Sequence, residues 1–99
     1  YAATKGAVIA LTRSLALELA RDQVRVNAVA PADILTPMTE RQLSPQRPRE
    51  EQLREMAALY PLGRIGTSAE AAAVIAFLAS SAAAWVTGCV YCVDGGLTA

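Results

Sequence analysis

Apolar residues recur every three or four positions at the start of the chain, where Val8, Leu11, Leu15 and Leu19 mark one stripe between Tyr1 and about Arg21. That period predicts an amphipathic helix. Alanines 2, 3, 7, 10, 16 and 20 add helix propensity and small contact surfaces. Arg21 and Asp22 close the helix, the cation suiting its carbonyl end. The period then drops to two: Val24, Val26, Ala28 and Ala30 alternate with Arg25, Asn27 and Val29. This predicts a strand of about seven residues, ended by Pro31, which cannot donate to a ladder.

From Ala32 to Pro48 the pattern is that of a long connection with short turns, because Pro37, Pro45 and Pro48 prevent one continuous helix. A helix is predicted over Arg49–Tyr60, with Leu53, Met56, Ala57 and Tyr60 on one face and Glu50 and Glu51 in its first turn. Such a segment suits a mobile cover over a pocket and equally an ordinary surface helix. Beyond the turn-rich Pro61–Gly66, Ser68 or Thr67 caps another helix and Glu70 reinforces its start. It runs to about Ala79, with Ala72, Ile75 and Leu78 expected inside. Ala82–Trp85 add a turn, Gly88 breaks the chain before a strand at Val90–Val93, and Asp94-Gly95-Gly96 closes that strand. Helix, strand, insertion, helix, strand is the order an α/β sheet produces.

Composition narrows the function classes. Of 99 residues 54% are hydrophobic and 18% charged, with nine basic and nine acidic side chains. Disorder requires the opposite balance, and no positive surplus exists to hold a nucleic-acid backbone. No apolar run reaches bilayer length, and no basic-plus-apolar leader opens the chain, so a cytoplasmic protein is expected. The length allows one domain. Cys89 and Cys92 are accompanied by no histidine. Two thiols do not fill a four-ligand zinc site; they are expected to pack as small apolar groups without bridging, in a reducing compartment.

The chemistry starts with Tyr1 and Lys5, which lie four apart on one helix face. An ammonium beside a phenol favours the phenolate, and such a phenol exchanges protons with carbonyl or alcohol oxygens near neutral pH. Tyr-x-x-x-Lys also arises in helices whose lysine is merely solvated. The order of further motifs carries more weight. Tyr1-Ala2-Ala3-Thr4-Lys5-Gly6-Ala7 is followed by Arg25-Val26-Asn27-Ala28-Val29-Ala30-Pro31-Ala32-Asp33-Ile34-Leu35-Thr36-Pro37-Met38. Then come Pro61-Leu62-Gly63-Arg64, Val86-Thr87-Gly88 and Asp94-Gly95-Gly96.

This series resembles the C-terminal part of a short-chain dehydrogenase/reductase over nearly all 99 residues, least closely from Thr39 to Tyr60. The resemblance implies an α/β fold, the C-terminal portion of a Rossmann-type doubly wound parallel sheet. Two strands, flanking helices and a lid-like insertion at residues 38–60 are expected in it. It implies hydride transfer between a nicotinamide cofactor, NAD or NADP, and a small-molecule carbonyl or alcohol. Tyr1 would be the catalytic acid-base. Lys5 would lower its pKa and bind the nicotinamide ribose. Pro31, Ala32 and Ile34 would lie against the nicotinamide, and Thr36 would bond its carboxamide or the phosphate region. Met38, Leu43, Met56 and Tyr60 would touch substrate. A homodimer or homotetramer is implied, with no membrane or nucleic-acid partner.

The pattern departs from the family in places. Glycine usually follows the strand-ending proline, where this chain has Ala32, whose methyl group narrows the loop or requires a different local turn. Asp33 is either an orienting charge for a polar substrate or a solvated loop residue. The glycine-rich pyrophosphate turn and the serine and asparagine of the family's catalytic group are not among these residues. These 99 residues alone are therefore expected to be inactive, as a fragment of the complete enzyme. A non-catalytic binding or structural module of the same fold is the competing reading.

Overall fold

The structure is a computed structural model describing residues 1–99. Its elements are α1 (Ala2–Leu19), a 3-10 turn (Ala20–Asp22), β1 (Ala28–Pro31), β2 (Ile34–Leu35), α2 (Pro37–Gln42) and α3 (Arg49–Ala57). They continue with β3 (Gly66–Thr67), α4 (Ser68–Ala79), a second 3-10 turn (Ser81–Ala83) and β4 (Val90–Val93). β1 neighbours β4 in one two-stranded sheet and β2 neighbours β3 in another. Two compact units divide the chain: Tyr1–Val29 with Val74–Tyr91, and Ala30–Ala73 with Cys92–Ala99.

In the first unit α1 buries a narrower face than its leucine pattern predicts. Thr12 and Ala16 are buried and Leu15 and Leu19 half-buried, whereas Val8 and Leu11 are exposed. Small residues set the approach: a methyl added at Gly88 would meet the Ala16 methyl at 3.4 Å. The expected seven-residue strand begins only at Ala28. Side chains replace its first rungs. The Val26 N–H donates to the Thr87 hydroxyl (3.0 Å), and the Asn27 carboxamide takes the Cys89 N–H (3.1 Å) while donating to the Val86 carbonyl (2.9 Å). Arg25 donates to the carbonyls of Leu78, Ser80 and Val86. Backbone pairing resumes at Ala28, whose N–H donates to the Cys89 carbonyl at 2.9 Å. Both cysteines are unbridged, as expected, but exposed rather than packed. Cys89 Sγ leans on the Thr87 carbonyl, and Cys92 occupies the exposed position of β4.

The second unit contains structure that the pattern of the long connection hides. β2 pairs with β3 in parallel, Ile34 opposite Gly66 and Leu35 opposite Thr67. A Cβ at Gly66 would lie 2.7 Å from Ile34 Cδ1, so glycine lets the Ile34 side chain lie over this strand, and a larger residue would displace the end of that side chain. Two-residue strands have too few positions to show a period. Thr36 caps α2 by accepting from the Thr39 N–H, and Pro37 occupies the first helical turn, where its missing N–H costs nothing. α3 starts at Arg49 as expected but ends at Ala57, short of the expected Tyr60, because the chain then tightens into turns, with the Leu59 and Tyr60 N–H groups donating to the carbonyls three residues back.

α4 opens with a reciprocal cap that selects Thr67 over Ser68. Thr67 Oγ1 accepts the Glu70 N–H, and Glu70 Oε2 accepts the Thr67 N–H at 2.9 Å. Arg64 donates to both Glu70 oxygens. That guanidinium first, then the cap, holds the Glu70 carboxyl at a pKa of about 2. Leu78 is buried, but Ala72 and Ile75 are exposed, against expectation; the covered line of α4 runs Ala71, Val74, Leu78. Asp94 closes β4 by accepting from the N–H groups of Gly96 and Thr98, while Gly95 and Gly96 take positive φ. No helix is long and apolar enough to cross a membrane.

Candidate active site

Tyr1 and Lys5 belong to the first turn of α1, joined by a backbone bond from the Lys5 N–H to the Tyr1 carbonyl (3.0 Å). Their side chains share a face, as the spacing predicts: Lys5 Nζ lies over the Tyr1 ring, 5.3 Å from its centroid. This is cation–π distance. Tyr1 is 94% exposed. The ammonium thus lies near one face of the ring while the side chain as a whole remains accessible to an external group.

In the second unit the Pro31–Thr36 loop is fixed at almost every residue. Pro31 is the exposed last residue of β1, and the Ala32 N–H donates to the Val93 carbonyl at 3.1 Å. Ala32 does not take a positive φ, so this loop needs no glycine at that position. Asp33 is not a solvated loop residue. Its carboxylate accepts the Tyr60 hydroxyl at 2.5 Å and its N–H donates back to that oxygen at 3.2 Å. The Asp33 bond and burial together raise the Tyr60 pKa. Ile34 is half-buried, and its carbonyl accepts the Thr39 hydroxyl at 2.5 Å. Thr36 Oγ1 and Thr39 Oγ1 lie 3.2 Å apart.

Of the four apolar residues expected to touch substrate, Leu43 and Met56 share one cleft of about 220 Å³, together with Thr39 and Gln52. Met38 lies outside it and is 62% exposed. Tyr60 is 6% exposed, with its hydroxyl bonded to Asp33. It braces the loop from inside, through its bonds to the Asp33 carboxylate and N–H. Sequence reasoning missed Thr39 and Gln52. The Thr36-x-x-Thr39 spacing is a capping signal that points to the first. Gln52 sits in a charged run with no comparable mark; it accepts the Ser44 N–H and donates to the carbonyls of Ser44 and Arg47.

The family model described as Enoyl-(Acyl carrier protein) reductase matches residues 1–98. The chain is 50% identical over 97 residues to a 3-oxoacyl-(acyl-carrier-protein) reductase of Thermotoga maritima, covering 98% of this chain and 37% of that protein. It is 46% identical over 99 residues to a Xanthobacter autotrophicus protein named inactive 2-(S)-hydroxypropyl-CoM dehydrogenase 2, covering 100% of this chain and 43% of the relative. Among solved structures, a C-terminal deletion mutant of Thermoplasma acidophilum aldohexose dehydrogenase aligns with TM-score 0.89 and 42% identity, over 99% of this chain and 44% of that one. The chain thus spans less than half the length of each. That solved structure shares its α/β, Rossmann-type fold. With that fold, the ordered motifs and the match over residues 1–98, the chain belongs to the short-chain dehydrogenase/reductase family.

Proposed function

We propose that the complete protein is an NAD- or NADP-dependent oxidoreductase acting on a small carbonyl or alcohol, with Tyr1 as its acid-base. The observation that carries this reading is the accessible Tyr1 phenol with the Lys5 ammonium 5.3 Å from its ring centre. A nicotinamide, when bound, would supply hydride chemistry at the carbonyl or alcohol carbon. Tyr1 gives its hydroxyl proton to the carbonyl oxygen as that oxygen gains charge, and takes the proton back in reverse. Lys5, beside the phenol, would donate to the hydroxyls of the nicotinamide ribose.

The chain's donors and acceptors fit such a cofactor. Lys5 faces the Tyr1 ring rather than a carboxylate, leaving its N–H donors for ribose oxygens. Thr36 Oγ1 retains an acceptor position, which suits a carboxamide N–H. The Pro31, Ala32 and Ile34 backbone forms the ring-side wall in this reading. Leu43 and Met56, in their shared cleft, and the exposed Met38 serve substrate within a cover at residues 38–60. A homodimer or homotetramer in the cytoplasm completes the proposal, the two unbridged cysteines supporting a reducing compartment.

Tyr1→Phe in the full-length protein tests the reading. Turnover should fall by about 10²- to 10⁴-fold, the usual worth of a positioned acid-base group, with cofactor binding retained. Wild-type turnover in that variant would remove Tyr1 from the chemistry. A second reading, a non-catalytic module of the same fold, is favoured by the Xanthobacter relative whose name declares it inactive. Complete absence of carbonyl reduction by the full-length wild type, with cofactor bound, would select it. The 99 residues alone, without a glycine-rich pyrophosphate turn, should bind the dinucleotide weakly and turn nothing over.

A further inference from the structure

No cation of the chain is paired with Asp33. The ion pairs all join arginines to glutamates or to Asp22. The one group bonded to the Asp33 carboxylate, the Tyr60 hydroxyl, is a neutral donor, and Asp33 and burial together raise its pKa, so the pair keeps a full negative charge. The other charge that acts on Tyr60 is that of Asp94, which is also negative. Asp33 Oδ1 accepts no hydrogen bond and is not enclosed by the chain, so it is open to a ligand. The charge is also held in place. The Asp33 N–H donates to the Tyr60 oxygen at 3.2 Å, its carbonyl accepts the Gly66 N–H at 2.9 Å, and the preceding Ala32 is bonded to Val93. A half-buried carboxylate on a fixed backbone is screened less than one on a solvated loop.

We propose that Asp33 sets the charge preference of the nicotinamide site: its carboxylate favours the cationic, oxidised ring over the neutral, reduced one, and so favours carbonyl reduction. The inference rests on the reading of Ala32 and Ile34, the two neighbours of Asp33, as the wall beside the nicotinamide. Oxidised and reduced dinucleotides differ at the ring by one positive charge, the charge left when hydride has gone to a carbonyl carbon. A fixed negative charge nearby lowers the free energy of the oxidised bound form relative to the reduced one. The equilibrium between the two bound states then moves toward alcohol. Tyr60 positions the carboxylate for this role from inside the fold.

Calorimetric titration of the full-length protein with NAD⁺ and NADH, and with NADP⁺ and NADPH, gives the dissociation constants of both forms. The readout is their ratio, reduced over oxidised, in which a general loss of affinity cancels. Asp33→Asn keeps an oxygen for the Tyr60 hydroxyl and should lower that ratio by roughly three- to tenfold, the size of one charge–charge interaction beyond contact distance near a protein surface. Asp33→Ser removes charge and bond together and should lower it as much. Asp33→Glu keeps the charge and should stay within about twofold of the wild type. Tyr60→Phe keeps the charge but frees the side chain, and should lower the ratio by less than Asp33→Asn does. A wild-type ratio in Tyr60→Phe would overturn the positioning role of Tyr60. A ratio unmoved in Asp33→Asn, or lowered as far in Asp33→Glu, would overturn the electrostatic role of Asp33 and leave the cofactor reading standing. Wild-type protein that binds neither form of either dinucleotide would remove the cofactor reading itself, and this inference with it.

Discussion

Thr12 in α1 and Gln52 in α3 are both buried polar side chains, and they do opposite kinds of work. Thr12 donates to the Val8 carbonyl one turn earlier in its own helix (2.8 Å), an acceptor that helical pairing already serves. Gln52 makes three bonds to Ser44 and Arg47, backbone groups outside any helix that have no ladder to join. α1 is eighteen residues long and rich in alanine; α3 is nine residues long and mostly charged. A long helix of good formers stands on its own backbone, whereas a short polar one depends on side chains that reach across a loop. A buried polar group matters in proportion to the partners it would orphan.

The largest effect of breaking this contrast is expected from Gln52→Leu. It leaves the Ser44 N–H and the Arg47 carbonyl without partners and removes one of two donors to the Ser44 carbonyl, and should cost about 2–4 kcal/mol, read from chemical denaturation of the full-length protein. A smaller loss, about 1–3 kcal/mol, is expected for Tyr60→Phe, which removes the hydroxyl joining both ends of Asp33. Its thermal midpoint should fall with no change in secondary-structure content.

Glu70 sharpens the comparison through pH. Its folded pKa of about 2 lies below its ordinary 4.5, so the stability it contributes is present above pH 4.5 and is lost as pH falls toward 2. Glu70→Gln should flatten that part of the stability–pH curve; an unchanged acid limb would show that the Arg64–Glu70 pair contributes nothing. At the small end stands Thr12→Val. It should change stability by no more than about 0.5 kcal/mol, since the Val8 carbonyl keeps its helical donor and the shape is preserved. A loss comparable to that of Gln52→Leu would refute the distinction drawn between the two helices.

Legibility in the sequence followed the range of the interaction. Helix ends were readable because caps and breakers act within four residues: Thr67 with Glu70 and the glycines after Asp94 all appear where local rules put them. β4 was readable for the same reason, lying between Gly88 and Asp94. The start of β1 was not, because Thr87 and Asn27 take its first rungs with side chains about 60 residues from their partners. Tyr60 has an apolar-stripe spacing that suits either a pocket wall or the interior. Only its bond to Asp33, 27 residues away, decides for the interior.

The sequence by itself determined the α/β class, the existence of the three longer helices, the Tyr1–Lys5 juxtaposition and the motif order that places the chain in its family. Each follows from periodicity or from residues within one helical turn. Tertiary structure alone decided which faces are covered, that Asp33 is held by Tyr60, and that Gln52 anchors the loop before α3. Those outcomes depend on donors and acceptors meeting across folded segments, and a side chain has no fixed partner until the backbone has brought one within about 3 Å.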